Sequence, residues 1–267
     1  MTNNHKPVVS VFAAFLLICV PLSMGQGGTR KKVAEGEYKV TTEGDLGCGP
    51  LETEIFHFRE SWTLWRTADG YDLEGYRTYE SPQDELHNDR FIAKLTEDLR
   101  PFSIQEFAHL VFRRDSGPLT CEFRPEKLRC DSGAKDPSNN VKVEFAMDRP
   151  YGLLWPFSAF SLAGLTRAPS QTEKPAPIQV VQLDQVSDAF PVVAIRSDGL
   201  IRYLGQSQLP LTVSGQDWHA NVYELTASPV RKMTIWISPE GLLLAAEMPR
   251  TPRTRMELTK FTKFADF

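Results

Sequence analysis

The stretch from Trp218 to Met248 constrains the fold most. Asn221-Val222-Tyr223-Glu224-Leu225-Thr226 puts Val222 on one face and Tyr223 and Leu225 on the other. Lys232 to Ile237 puts Met233, Ile235 and Ile237 on one face and Thr234 and Trp236 on the other. A two-residue alternation of β-branched and aromatic residues specifies strands, and no 3.6-residue period competes with it. Ser238-Pro239-Glu240-Gly241 then reverses the chain, since proline presets φ at the second turn position and glycine accepts a left-handed conformation. Leu242 to Met248 returns as a third strand. Arg255 to Phe264 follows as a fourth, after Pro249-Arg250-Thr251-Pro252. The unbroken apolar run Leu242-Leu243-Leu244-Ala245-Ala246 predicts an antiparallel meander covered on both faces in places.

The same alternation recurs upstream. Gly36 to Thr42 is one strand, and Glu54 to Leu64 is another with Phe56, Phe58, Trp62 and Leu64 on one face. Asp69-Gly70, read as a two-residue hairpin turn, places Trp62 opposite Arg77 and Glu60 opposite Tyr79. Phe91 to Leu95, Phe102 to Phe112, Val141 to Met147, Ile178 to Leu183, Pro191 to Arg196, Leu200 to Leu204 and Leu209 to Val213 continue the pattern, with Asp198-Gly199 as a turn. Gln105 to Val111 also fits a helix. Tyr151 to Leu165 is different: long, apolar and without alternation. Pro156 suits the first turn of a helix, and Phe157, Phe160, Ala163 and Gly164 would then share a face. This segment reads as a short buried helix or two apolar turns. Thr166 to Pro177, with Pro169, Pro175 and Pro177, is a loop between two strand-rich halves. The predicted fold is mainly β: a strongly curved antiparallel meander, or half-barrel, around a short apolar helical segment.

Lys6 is the one charged side chain among residues 1–25. The apolar run Val8 to Val20 is shorter than the roughly 20 residues that span a bilayer, and it suits a signal-peptide core. Ser23-Met24-Gly25 supplies small residues before a cleavage point, so residues 1–25 read as a signal peptide and 26–34 as a flexible lead-in. Residues 35–267 then form one β-rich domain in an exported chain with no stable transmembrane anchor. Acylation at Cys19 would need a small residue before it, where Ile18 stands.

Export implies an oxidising compartment, which favours disulfides. A two-residue turn at Pro125-Glu126 pairs Arg124 with Lys127, Phe123 with Leu128 and Cys121 with Cys130. Directly opposed side chains lie about 4.5–5.5 Å apart at Cβ, near bridging distance. Cys48, in the turn Gly47-Cys48-Gly49-Pro50, is left either as a free thiol or as a competitor for that pair.

Hydrophobic residues are 41% and charged residues 24% of the chain, so the composition is that of a globular protein rather than a disordered one. The net charge is −4 at pH 7 and one unit more negative after signal cleavage. That disfavours nucleic acid as a partner. Asp115-Ser116-Gly117 and Asp131-Ser132-Gly133 share the tripeptide of aspartic proteases, but they stand too close together, and Asp-Ser-Gly is a common turn. There is no nucleophile elbow, no His-Glu-x-x-His, no P-loop and no dinucleotide fingerprint. His57, His87, His109 and His219 are scattered. Asp84 to Asp89 lacks calcium-loop spacing. No catalytic residue, metal ligand or cofactor is expected.

An export signal, a long meander, an apolar proline-containing segment between two strand-rich halves and the closing Ile235-Trp236-Ile237-Ser238-Pro239-Glu240-Gly241-Leu242 hairpin resemble the exported half-barrel proteins of the lipoprotein-carrier type. The resemblance implies a bent sheet that wraps a helix and holds acyl chains. It covers architecture and transfers no functional residue. The resulting expectation is a non-enzymatic protein that binds or shields an amphiphilic ligand in a periplasmic or extracellular setting. Trp155, Phe157, Phe160, Trp62, Tyr223 and Trp236 would line the pocket, since ligand pockets are mostly apolar and aromatic. The alternative is a structural or assembly module of the cell envelope that meets a protein partner. A hydrolase with a dispersed site is the third reading.

Overall fold

The computed structural model describes residues 30–44, 54–79, 88–107, 118–133, 137–138, 140–153, 159–166, 174–182, 195–207, 211–228, 231–249 and 253–267. The elements are β1 (Lys31–Gly44), β2 (Glu54–Thr67), β3 (Gly70–Tyr79), β4 (Asn88–Leu95), β5 (Pro101–Phe107), β6 (Leu119–Arg124), β7 (Lys127–Asp131), β8 (Lys142–Ala146) and β9 (Tyr151–Leu153). Then come α1 (Ala163–Thr166), β10 (Ala176–Gln182), β11 (Ile195–Gln206), β12 (Leu211–Val213), β13 (Gln216–Trp218), β14 (Asn221–Ser228), β15 (Arg231–Ile237), β16 (Leu243–Met248) and β17 (Arg253–Lys263). The expected signal peptide, Cys19, Cys48, Asp115-Ser116-Gly117 and the Pro156 helix start all lie outside the described residues.

One sheet of 15 strands runs in the order β8-β7-β6-β5-β4-β3-β2-β1-β17-β16-β15-β14-β11-β10-β9. Every pair is antiparallel except β9 with β10. The first and last strands among the described residues, β1 and β17, pair in the middle and join the two halves. The fold class is as expected: mainly β, one strongly curved antiparallel sheet, open rather than closed, around a short apolar segment.

Topology forces the curvature. β8 and β9 are the opposite edges of the sheet, yet only Met147, Asp148, Arg149 and Pro150 separate them in sequence. Laid flat, 15 strands about 4.8 Å apart would put those edges ~67 Å apart. A five-step extended chain spans at most ~18 Å. The sheet must therefore curl almost fully round on itself.

The seam is held by hydrogen bonds. Arg196 Nη1 donates to the Ala146 carbonyl at 2.8 Å, and Gln179 Nε2 donates to Asp148 Oδ1 at 2.9 Å. Tyr151 OH donates to the Pro101 carbonyl at 2.5 Å, and its ring stacks on Phe123 with centroids 4.9 Å apart.

The interior divides into two packed clusters. Tyr38, Trp62, Leu64, Leu73, Phe91, Ile104 and Leu128 belong to the cluster of the first half. Ile178, Ile201, Leu225, Met233, Ile235 and Ile237 belong to that of the second. The segment 159–166 sits between them: Phe160 and Ala163 pack into the first cluster, and Leu162 and Leu165 into the second. β16 is covered on both sides as predicted, with Leu244 in one cluster and Leu243 in the other. The closing hairpin turns as expected, with Gly241 at φ 94° and its N–H donating to the Ser238 carbonyl at 3.0 Å.

Four local expectations are corrected. Residues 31–34, expected in the flexible lead-in, belong to β1, and Val33 and Ala34 are buried in the first cluster. The hairpin after β2 turns on Ala68-Asp69, not Asp69-Gly70, so Trp62 opposes Gly75 and Glu60 opposes Arg77. Gly70 is needed elsewhere, since a Cβ there would stand 2.3 Å from the Leu95 carbonyl oxygen. The shift is two residues, so every side chain keeps its predicted face. Asp198-Gly199 does not turn the chain, because β11 runs straight through it. Gly199 admits a close approach instead, as a Cβ there would meet the Thr226 carbonyl oxygen at 2.6 Å. Finally, residues 105–107 continue β5, which excludes a helix there.

Candidate functional site

The sequence-predicted aromatic residues fall into separate environments. Trp62 is 2% exposed and Phe160 is fully buried, and their rings meet edge to face with centroids 5.9 Å apart. Phe160 is also edge-on to Phe267 at 5.6 Å. Its backbone is left-handed, φ 58°, a conformation that costs a bulky residue about 1–2 kcal/mol and that this surrounding packing holds in place. Tyr223 is buried in the other cluster against Tyr203, at 5.3 Å. Trp236 is half-buried on the opposite face of β15 from Ile235. Trp155 and Phe157 lie outside the described residues. Trp62 and Phe160 therefore meet in one cluster, against which Trp236 also packs, and Tyr223 lies in the other.

Why Trp62 fits becomes clear from the register. Phe261, Gly36, Trp62, Gly75 and Phe91 form one row across five strands. Bulky rings alternate with glycines; the Trp62 ring lies over Gly36 and the Phe91 ring over Gly75. A Cβ on Gly36 would be 2.6 Å from Trp62 Cζ2, and one on Gly75 would be 2.1 Å from Phe91 Cζ. Glycines on the inner face also let a sheet bend sharply.

The next row inward carries charge. Tyr38, Glu60 and Arg77 are consecutive register partners, all buried. Arg77 Nε donates to Glu60 Oε2 at 3.2 Å, with both side chains 1% exposed. The rings of Phe58 and Phe91 lie 5.7 and 6.0 Å from the guanidinium carbon. Tyr38 OH donates to the Leu243 carbonyl at 2.6 Å, and burial, with the Glu60 charge beside it, pushes its phenol well above the ordinary value. Hydrogen bonds and an opposite charge hold these groups in a dry interior. The corrected hairpin register reveals the pair; the expected register hid it by placing Tyr79 against Glu60.

The outer face of the same strands carries a groove of about 310 Å³. Two register rows build it: Lys260–Glu37–Ser61–Tyr76 and Thr262–Glu35–Thr63–Glu74. Gly36, Ser61 and Thr63 are short, so the floor is low. Tyr76, 52% exposed, and Trp65 stand higher at its border. Each carboxylate already has a cation. Glu37 meets Arg59 at 2.9 Å and Lys260 at 3.0 Å, Glu74 meets Arg30 at 2.9 Å, and Glu35 pairs with Lys32. Partial burial pushes the Glu37 carboxyl up, but hydrogen bonds from Lys260 and Arg59 outweigh it, and the net shift is downward. The Arg30 guanidinium lies 5.1 Å from the Trp65 ring. The indole N–H groups of Trp62 and Trp65, both lining the groove, are buried without an acceptor. Sequence reading missed this site, because its rows are set by cross-strand register; the alternation Arg59, Ser61, Thr63, Trp65 on the outer face of β2 was the available signal.

A second surface depression, lined by Thr120, Glu122, Arg129, Lys142 and Glu144 among others, lies over β6–β8. Beneath it Cys121 and Cys130 are bonded, with Cα atoms 4.2 Å apart, in the register that the Pro125-Glu126 turn predicts. Asp131-Ser132-Gly133 is a turn: Gly133 N–H donates to Asp131 Oδ1 at 2.9 Å, and Asp131 pairs with Lys142 at 3.1 Å. His219 is exposed; the side chains of His57, His87 and His109 lie outside the described residues. Among the described residues, no three His, Cys, Asp or Glu side chains are placed to hold a metal ion, and no helix is long and apolar enough to cross a membrane.

No protein-family model matches the chain, and no curated protein matches it. Its structure is similar to the crystal structure of a β-barrel-like protein of domain of unknown function DUF1849 from Brucella abortus. The TM-score is 0.51 and the identity 11%, over 89% of this chain and 100% of that one. The fold is β-barrel-like. At this identity the likeness is one of fold alone, and it meets the half-barrel expectation at the level of architecture.

Proposed function

We propose that this chain is a non-enzymatic, exported structural or assembly module of the cell envelope, a packed barrel-like scaffold that works through its outer surface. The observation that carries this reading is the interior. Among the described residues, Trp62 and Phe160 pack against each other and against Phe261 and Phe267, and Tyr223 packs against Tyr203. An apolar signal-like run at residues 8–20 and the Cys121–Cys130 bond are compatible with an oxidising compartment.

The second reading is carriage of an amphiphilic ligand, as in the lipoprotein-carrier type. The apolar 159–166 segment, wrapped by the curved sheet, favours it. Native mass spectrometry of the purified protein, with lipid extraction and titration by a fluorescent fatty acid, separates the two. The scaffold reading predicts an unliganded mass and no saturable uptake. Stoichiometric lipid would replace it with the carrier reading.

A further inference from the structure

We propose that the outer groove floored by Gly36, Ser61 and Thr63 binds a neutral saccharide. The chemistry of its walls selects the class. The carboxylates Glu35, Glu37 and Glu74 are matched by Lys32, Arg59, Lys260 and Arg30, and Arg30 is shared with Asp72, so the groove carries no net charge to draw either an anion or a cation. The polar floor disfavours an acyl chain. What remains is a ligand with one apolar face and many hydroxyl groups. Tyr76 presents an exposed ring to such a face. Ser61 and Thr63 both donate and accept, and the Glu35 and Glu74 carboxylates accept from sugar hydroxyls while keeping their cations. The buried N–H group of Trp65, on the outer face with Ser61 and Thr63, is a donor that the fold itself leaves unsatisfied beside this floor.

The size agrees. A volume of about 310 Å³ is at the small end for ligand sites and suits one or two sugar rings. Short side chains create the depth: Ser61 and Thr63 are cross-strand neighbours of Tyr76 and Glu74 on one side and of Glu37 and Glu35 on the other. Ser61, Thr63, Tyr76 and Glu74 lie on the opposite face of β2 and β3 from Phe160's contact with Trp62, so the saccharide test and the lipid test read different faces of the sheet.

The test is titration of the purified protein with two neutral probes, the β-1,4-linked trimer of N-acetylglucosamine and maltotriose, followed by tryptophan fluorescence and ligand-observed NMR. Arginine amide and palmitate are the charged and apolar comparisons. Ser61→Phe fills the floor from the solvent side, Tyr76→Ala removes the platform, and circular dichroism checks that both variants fold. The expected result is saturable binding of at least one trimer, weakened about tenfold or more by each variant. Saturation by neither trimer, tighter binding of arginine amide or palmitate, or affinities within about tenfold of the parent in both variants would overturn the assignment.

Discussion

The two halves of the barrel fill their interiors differently. The second half does it mainly with aliphatic side chains: Ile178, Ile201, Leu225, Met233, Ile235 and Ile237 share one face, with the Tyr223–Tyr203 pair beside them. The first half uses an aromatic–glycine row and a buried ion pair, Glu60 with Arg77. An aliphatic face tolerates small changes of volume, because its contacts are many and individually weak. A ring laid on a glycine, or a buried charge facing an opposite one, has no such slack. The first half should therefore be the brittle one.

The largest effect that would sharpen this contrast is at the ion pair. Arg77→Leu removes the guanidinium opposite the buried Glu60 and should cost about 3–5 kcal/mol by chemical denaturation. The double variant Glu60→Leu/Arg77→Leu should recover most of that loss, since an apolar pair of similar volume needs no compensation. Equal instability of the single and double variants would break the account of this row.

The seam between the halves gives the next effect. Burial pushes the Tyr151 phenol up to about 12, against the nearby Arg100 charge. Its unfolded value is near 10, so the neutral form is favoured by folding; this stability is complete below pH 10 and is lost as pH rises toward 12. Two units correspond to about 2.7 kcal/mol. Tyr151→Phe should flatten the stability profile above pH 10, and a profile as steep as the parent's would contradict the assignment.

Smaller effects compare the two packings directly. Gly75→Ala drives a methyl against the Phe91 ring, which is 1% exposed and backed by core, and should cost about 1–3 kcal/mol. Ile235→Val removes one methylene from the aliphatic face and should cost about 0.5–1.5 kcal/mol. A Gly75→Ala variant as stable as the parent would remove the distinction between the halves.

Legibility in the sequence follows the same division. The aliphatic half is written in period-two alternation, and the faces of Tyr223, Leu225, Met233, Ile235 and Ile237 were readable without any long-range information. The Cys121–Cys130 bond was readable because one tight turn fixes its register. The first half was readable in its faces but not in its partners. Gly70 stood where a turn glycine belongs, while its actual task is to let the Leu95 carbonyl approach. That displaced the register by two, and with it the Glu60–Arg77 pair and the glycine–ring row. Gly199 misled for the same reason: a turn and a close backbone approach ask for the same residue. The parallel β9–β10 pair left no local signal, and the outer groove left only the alternation Arg59, Ser61, Thr63, Trp65 on β2, because its rows are completed by cross-strand register with β1, β3 and β17.

The measurement that bears most directly on a filled scaffold is xenon pressurisation of crystals, because xenon enters dry apolar voids. The account predicts no xenon site among Trp62, Phe160 and Tyr223. An occupied site there would reveal an open apolar volume and contradict it.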